Sequence, residues 1–323
     1  MLEPGEHACL VRVRYAGICS SDISRIFRDG TYRLPLTPGH EFCGVIEQSG
    51  PDSPVAPGQA VAVYPLLPCF ECAACRRHDY PQCEQYDYFG SRRDGGFAEF
   101  VKVPYFNLVP VPDGVSLIEA ALCEPASVAL HGLRVADLRA EDRVLIVGAG
   151  AIGIIMAQWA FMLGAAEVTL ADISDERIEA ARAICPRAAF VGGTSALIEQ
   201  TLQGREFPLC VEGTGFPASY SLIVRCAEPN GRLLLLGNPS ENVILERQIV
   251  SRILRKQLSI RGTWNSTIAP EFNEWTATLQ AVAASQLTLH ALVTHRYPLA
   301  EVRAALEMMR SRREFFNRVV LEC

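Results

Sequence analysis

Apolar and polar residues change places in short runs over the first third of the chain. LVRVRYAG (10–17) alternates with a period of two. GVIEQSG (44–50), AVAVYPLL (60–67) and AEFVKVP (98–104) are further short apolar runs. Pro and Gly separate them at Pro35, Pro38-Gly39, Gly50-Pro51, Pro57-Gly58 and Gly95-Gly96. Short strands broken in this way predict an irregular, barrel-like β domain. The pattern shifts near residue 130. DRVLIVG (142–148), EVTLAD (167–172), AAFVGG (188–193), PLCVEG (208–213), RLLLLG (232–237) and QLSIRG (257–262) are strand candidates, with helical patterns such as DERIEAARAI (175–184) between them. Six apolar strands separated by helices predict an α/β domain with a parallel sheet covered on both faces. The tail adds a helical stretch, AEVRAALEMMR (300–310), and a last strand, NRVVLE (317–322).

Composition narrows the class. A chain of 323 residues favours two domains. Hydrophobic residues at 49% and charged residues at 20% exclude a disordered or collagen-like chain. The net charge of −6 argues against a nucleic-acid-coating role. No run of 18 apolar residues predicts a membrane span, and MLEPGEHACLVRVRY lacks the pattern of a signal peptide. Twelve cysteines in such a chain read as thiols or metal ligands, with the cytoplasm as the expected compartment.

Gly148-Ala149-Gly150-Ala151-Ile152-Gly153 has the spacing G-x-G-x-x-G, after an apolar strand and ahead of a helical segment that runs to Leu163. Gly148 would allow the tight turn, Gly150 the approach of a pyrophosphate, and Gly153 close helix–strand packing. Ala151 and Ile152 open the helix, whose free N–H groups suit phosphate. Asp172 ends the next strand candidate. A carboxylate there binds ribose hydroxyls and repels a 2′-phosphate, which predicts NAD over NADP. A glycine-rich turn in an ordinary α/β domain is the plain alternative.

Cys69, Cys72, Cys75 and Cys83 have the spacing C-x2-C-x2-C-x7-C. Four thiolates this close can enclose a structural zinc with no open position. A disulfide pair, unrelated thiols or a nucleic-acid zinc ribbon are the other readings. Cys19, His40, Glu41 and Glu124 form a looser set of sulfur, imidazole and carboxylates. Glycines at 17 and 39 are expected to supply sharp turns that aim them. Taken singly, a buried thiol, a core histidine and helix-cap carboxylates explain them better. Beside a nicotinamide-binding fold they read as an open zinc site.

GICSSD (17–22), GHEFCGVIEQSG (39–50), the four-cysteine segment, DGGFAEF (94–100), EPASVALHGL (124–133) and GAGAIG (148–153) follow the order found in the zinc-dependent medium-chain dehydrogenases. The chain resembles that family over nearly its whole length, and its polyol branch in carrying Glu-Pro. In the family the first segments usually follow further residues. Either such residues are absent from this sequence, or that edge of the domain is built another way. The resemblance implies a GroES-like catalytic domain from 1–131 and 264–323, and a six-stranded, doubly wound Rossmann domain from 132–263. It implies two zinc ions per chain and NAD. Cys19, His40 and Glu124 would hold the catalytic zinc, Glu41 would be a fourth or exchangeable ligand, and Cys69, Cys72, Cys75 and Cys83 would hold the structural zinc. Ser21 would take the substrate's proton and Asp22 would orient His40. Cysteines 9, 43, 123, 185, 210, 226 and 323 would be plain thiols.

The implied reaction moves a hydride from a secondary alcohol of a polyol or sugar-alcohol phosphate to NAD. Arg25 and Arg92 are candidates for phosphate, while Arg28 and Arg93 read as solvated. Trp264 and Asn265 are candidates for polyol contacts. An amino alcohol or aminocyclitol is the rival substrate class. A zinc-free reductase and a non-catalytic NAD- or zinc-binding regulator are the further alternatives. The family implies a homodimer or homotetramer acting on a small molecule, without nucleic acid or membrane.

Overall fold

The computed structural model describes residues 5–239 and 241–323. The chain divides into two compact units, residues 1–127 with 266–323 and residues 128–265. The expected limits were 131/132 and 263/264. The helix Cys123–Val135 spans the first limit and carries the chain from one unit into the other.

The first unit is built on a seven-stranded sheet. Its centre is Ala8–Ile18, where alternating apolar residues bury Val11, Val13 and Ala16. Glu41–Ser49 pairs antiparallel along one edge of this strand. The other edge is shared, with Phe100–Pro104 against its first half and Arg318–Glu322 against its second. Ala60–Val63 and Leu108–Pro110 extend the sheet on one side, and Val293–Pro298 on the other. The apolar run 60–67 is not one strand. Pro65 lacks a backbone N–H, and beyond it Leu66–Leu67 leaves to pair with Asp87–Tyr88. Val61, Val63, Phe42, Phe89, Val319 and Leu321 join one buried cluster, each worth about 1.5–3 kcal/mol of transfer free energy.

The second unit holds six parallel strands in the order Ala189–Gly192, Glu167–Asp172, Arg143–Val147, Phe207–Glu212, Ala227–Leu235, Ser259–Gly262. The strands alternate with helices, as the apolar runs predict. The order reverses next to Arg143–Val147, the first of them in the chain. In such sheets that is where ligands bind, at the carboxyl ends of the strands. The sixth strand starts only at Ser259, because Gln257 takes a left-handed conformation (φ 51°) that ends the helix before it. Among the described residues no helix is long and apolar enough to cross a membrane.

Candidate active site and cofactor platform

Cys19 leaves the end of the central strand of the first unit, and Glu41 begins the strand beside it. His40 directly precedes Glu41. The thiol of Cys19, a ring nitrogen of His40 and a carboxylate oxygen of Glu41 all lie within 4.8 Å of one another. Gly39 reaches this position with φ 95°, and a side chain there would strike Phe97. Gly17 makes no turn, contrary to expectation. It sits inside the strand opposite Glu41, and a Cβ there would stand 2.4 Å from Glu41 Oε2. Glycine at 17 therefore makes room for the carboxylate.

Asp22 is fully buried. Its Oδ2 accepts the Cys19 N–H at 3.0 Å, and its Oδ1 lies 3.4 Å from His40 Nδ1. That second approach is too poorly aligned for a hydrogen bond, so Nδ1 has no partner. Burial alone lowers the His40 pKa. The Asp22 carboxylate and the Cys19 sulfur outweigh it and hold the imidazole well above its usual value. Thiolate, imidazole and carboxylate in one small group is a donor set that suits zinc, and a cation would replace the proton the imidazole otherwise keeps.

Glu41 also forms a buried ion pair with Arg318. Glu124 lies outside the 4.8 Å group. It is buried, and its Oε1 accepts from the Tyr88 hydroxyl at 3.2 Å. Burial, with Glu41 nearby, lifts its pKa to about 7. Ser21 is exposed. Sequence reasoning missed Arg318 and Tyr88. A lone arginine opening the apolar run VVLE was the available sign for Arg318.

The four thiols of Cys69, Cys72, Cys75 and Cys83 also lie within 4.8 Å of one another. None is in a disulfide. Successive N–H groups aim at them, from Cys72 to Cys69 Sγ at 3.4 Å and from Cys75 to Cys72 Sγ at 3.5 Å. N–H donation from Cys75 and Glu84 lowers Cys72 to about 6, while burial raises Cys75 to about 12. Four thiolates cannot share so small a space without a cation, which fits a closed zinc site.

In the second unit the three glycines differ. Gly148 has φ 116°. A Cβ on Gly153 would stand 2.0 Å from the Gly148 carbonyl, so helix and turn touch there. Gly150 has an ordinary φ of −74°, and a Cβ there would meet nothing within 4 Å. No internal reason requires glycine at 150, and the room it leaves suits a pyrophosphate at the head of the helix Ala151–Met162. Asp172 Oδ2 accepts the Ala149 N–H at 2.8 Å and Oδ1 the Ser174 N–H at 2.9 Å. Arg177 stands 3.6 Å away.

The substrate candidates are more committed than the sequence suggests. Arg25 donates to Asp22 Oδ1 at 3.2 Å. Arg92 lies over the rings of both Tyr32 and Tyr86, and donates to the Tyr86 carbonyl at 2.7 Å. Arg93 pairs with Asp87, and Arg28 donates to Ser24. Trp264 is 52% exposed, and Asn265 carries a buried Nδ2 without a partner.

The alcohol dehydrogenase GroES-like domain family matches residues 5–113, and the zinc-binding dehydrogenase family matches residues 151–284. A galactitol 1-phosphate 5-dehydrogenase of Escherichia coli K12 is 37% identical over 299 residues, covering 90% of this chain and 86% of the relative. With these matches, the chain belongs to the zinc-binding dehydrogenase family, and it is an oxidoreductase. The crystal structure of galactitol-1-phosphate dehydrogenase from Escherichia coli superposes with a TM-score of 0.90 at 33% identity, over 98% of this chain and 93% of that one. The alcohol dehydrogenase rspB of E. coli CFT073, complexed with NADH, gives a TM-score of 0.89 at 27% identity, over 100% of this chain and 94% of that one.

Proposed function

We propose that this enzyme oxidises a secondary alcohol of a polyol or sugar-alcohol phosphate, with NAD as the acceptor. The observation that carries the reading is the convergence of Cys19, His40 and Glu41 within 4.8 Å, in a chain 37% identical to a galactitol 1-phosphate 5-dehydrogenase. Cys19, His40 and Glu124 would hold the catalytic zinc, with Glu41 as fourth or exchangeable ligand. Cys69, Cys72, Cys75 and Cys83 would hold the structural one. Bound zinc would polarise the alcohol oxygen and lower its pKa, while NAD would take the hydride.

The chain's own residues do the rest. The exposed Ser21 hydroxyl takes the alcohol's proton and releases it to water. Asp22 holds the Cys19 backbone and restrains His40. Gly150 admits the pyrophosphate, and Asp172 keeps free lone pairs for ribose hydroxyls. The Asp172 carboxylate, which would repel a 2′-phosphate, supports NAD over NADP. Arg25 and Arg92 are the proposed contacts for a substrate phosphate, through the donors their present partners leave free. The oligomer is proposed to be a homodimer or homotetramer, since the edge strand Ser259–Gly262 is exposed along its whole length. The cytoplasm suits the unpaired cysteines.

The test is NADH formation by zinc-loaded protein across polyols, their phosphates and amino alcohols, with NADP as the second acceptor. Turnover of a phosphorylated polyol with NAD, lost in Cys19→Ala while NADH still binds, is the expected result. A fully active Cys19→Ala would remove the zinc reading. A preference for amino alcohols would move the substrate class.

A further inference from the structure

The second unit contains a carboxylate that the proposed chemistry does not use. Glu212 ends the strand Phe207–Glu212 and is completely buried. Its Oε1 lies within hydrogen-bond distance of two backbone N–H groups, Thr214 at 2.7 Å and Gly215 at 2.9 Å. The hydroxyls of Thr214 at 2.6 Å and Ser219 at 2.7 Å also lie within reach of it, and Ser219 shares its proton with the Phe216 carbonyl at 2.6 Å. Its Oε2 has no partner. A carboxylate kept only for stability would be expected to satisfy both oxygens, because an unpaired buried acceptor is costly.

Apart from Ser219 in the helix Pro217–Cys226, these groups belong to turns at the carboxyl ends of neighbouring strands. Gly213 N–H donates to the Val147 carbonyl at 2.9 Å, directly before the Gly148 turn. A Cβ on Gly148 would meet Thr214 Cγ2 at 3.2 Å. The Glu212 main-chain carbonyl accepts from Leu236 at 2.9 Å and Gly237 at 3.0 Å, after the adjacent strand. A Cβ on Gly237 would come 2.7 Å from Glu212 Oε2, and one on Gly215 would come 2.3 Å from the Asn238 carbonyl. The Glu212 carboxylate therefore holds the turn at 213–216, which Gly213 links to the strand end before the glycine turn and the Glu212 main chain links to the turn at 236–238.

The strand order says what this turn faces. Glu167–Asp172 lies on one side of Arg143–Val147, and Phe207–Glu212 on the other. With the pyrophosphate at Gly148–Gly153 and the adenosine ribose at Asp172, the second half of a dinucleotide extends over the turn that follows Glu212. We propose that Glu212 is a positioning residue for the nicotinamide half of the cofactor, acting through the Thr214–Phe216 turn that its carboxylate holds. This rests on the dinucleotide reading above.

The test compares two ligands on the zinc-loaded protein. NADH spans both halves, whereas ADP-ribose lacks the nicotinamide. Calorimetric titration of Glu212→Gln is expected to show NADH bound about tenfold more weakly, with ADP-ribose affinity held within about twofold. Ser219→Ala removes a single donor and is expected to show the same split with a smaller loss. It carries the test if Glu212→Gln does not fold. Unchanged NADH affinity in the variants, or parallel loss of both ligands, overturns the proposal. Wild-type protein that binds neither ligand overturns the dinucleotide reading itself, whereas normal wild-type binding without a split overturns only the role of Glu212.

Discussion

Gly150 and Gly153 stand on the same helical turn and are glycine for opposite reasons. An added methyl at 150 meets nothing of the protein, while one at 153 stands 2.0 Å from a carbonyl. Gly150→Ala is therefore expected to keep its melting temperature and lose NADH affinity. Gly153→Ala is expected to lose about 1–3 kcal/mol of stability, as overpacked cores do. Thermal melts beside NADH titrations separate the two, and equal melting losses would remove the ligand role of Gly150. Glu124 supplies a second prediction. In protein stripped of zinc, burial holds its carboxyl at about 7, against 4.5 for the free side chain. A folded state that favours the proton gains stability below the unfolded value and loses it as pH rises through the folded one. Stripped wild type should thus lose stability relative to Glu124→Gln between about pH 5 and about pH 8. Parallel melting curves across that range would contradict it. At this scale the glycine motif could be read directly, because its spacing encodes backbone geometry. Glu124 outside the compact group, and Arg318 on Glu41, could not. Those depend on side-chain directions set by strands far apart in sequence.

Elements could be read wherever one face is apolar. DERIEAARAI is helical over Asp175–Ile184, as its pattern predicts. Val293–Pro298 escaped notice because VTHRYP alternates only between half-buried and exposed positions and shows no apolar face. The strand Ala227–Leu235 starts well ahead of RLLLL, across Pro229, Asn230 and Gly231, where the pairing register slips. The four-cysteine segment has little regular structure, a short helix Ala73–Arg76 and one turn at Tyr80–Gln82. Beyond the packing of Cys75, Tyr80 and Cys83 into a buried cluster, its shape is expected to depend on whatever joins its thiols. Cys72→Ser is expected to drop metal content by one zinc per chain and to lower the melting temperature, while leaving NADH affinity intact. Loss of zinc without a change in melting would show that the segment holds itself together.

Across the whole molecule, two apolar patterns of different period mark the two units into which the chain divides. The exposed edge of the parallel sheet was hidden from the pattern, because QLSIRG reads like the buried strands before it. Ile260 there is 45% exposed, and Leu254 on the preceding helix 72%. Unpaired edges of this kind recruit a further strand. Ile260→Lys is expected to lower the mass of the proposed homodimer or homotetramer in sedimentation, and an unchanged mass would place the contact elsewhere.

The first unit is assembled from both ends of the sequence. Tyr15 to Ile18 pair with Val319 to Glu322, and Arg318 meets Glu41. During synthesis the central strand and the Cys19–His40–Glu41 trio emerge early, and the second unit can complete itself while they wait. The guanidinium that neutralises Glu41 is made 277 residues after it. A nascent chain therefore carries Glu41 without its guanidinium partner while the whole second unit between them is being made.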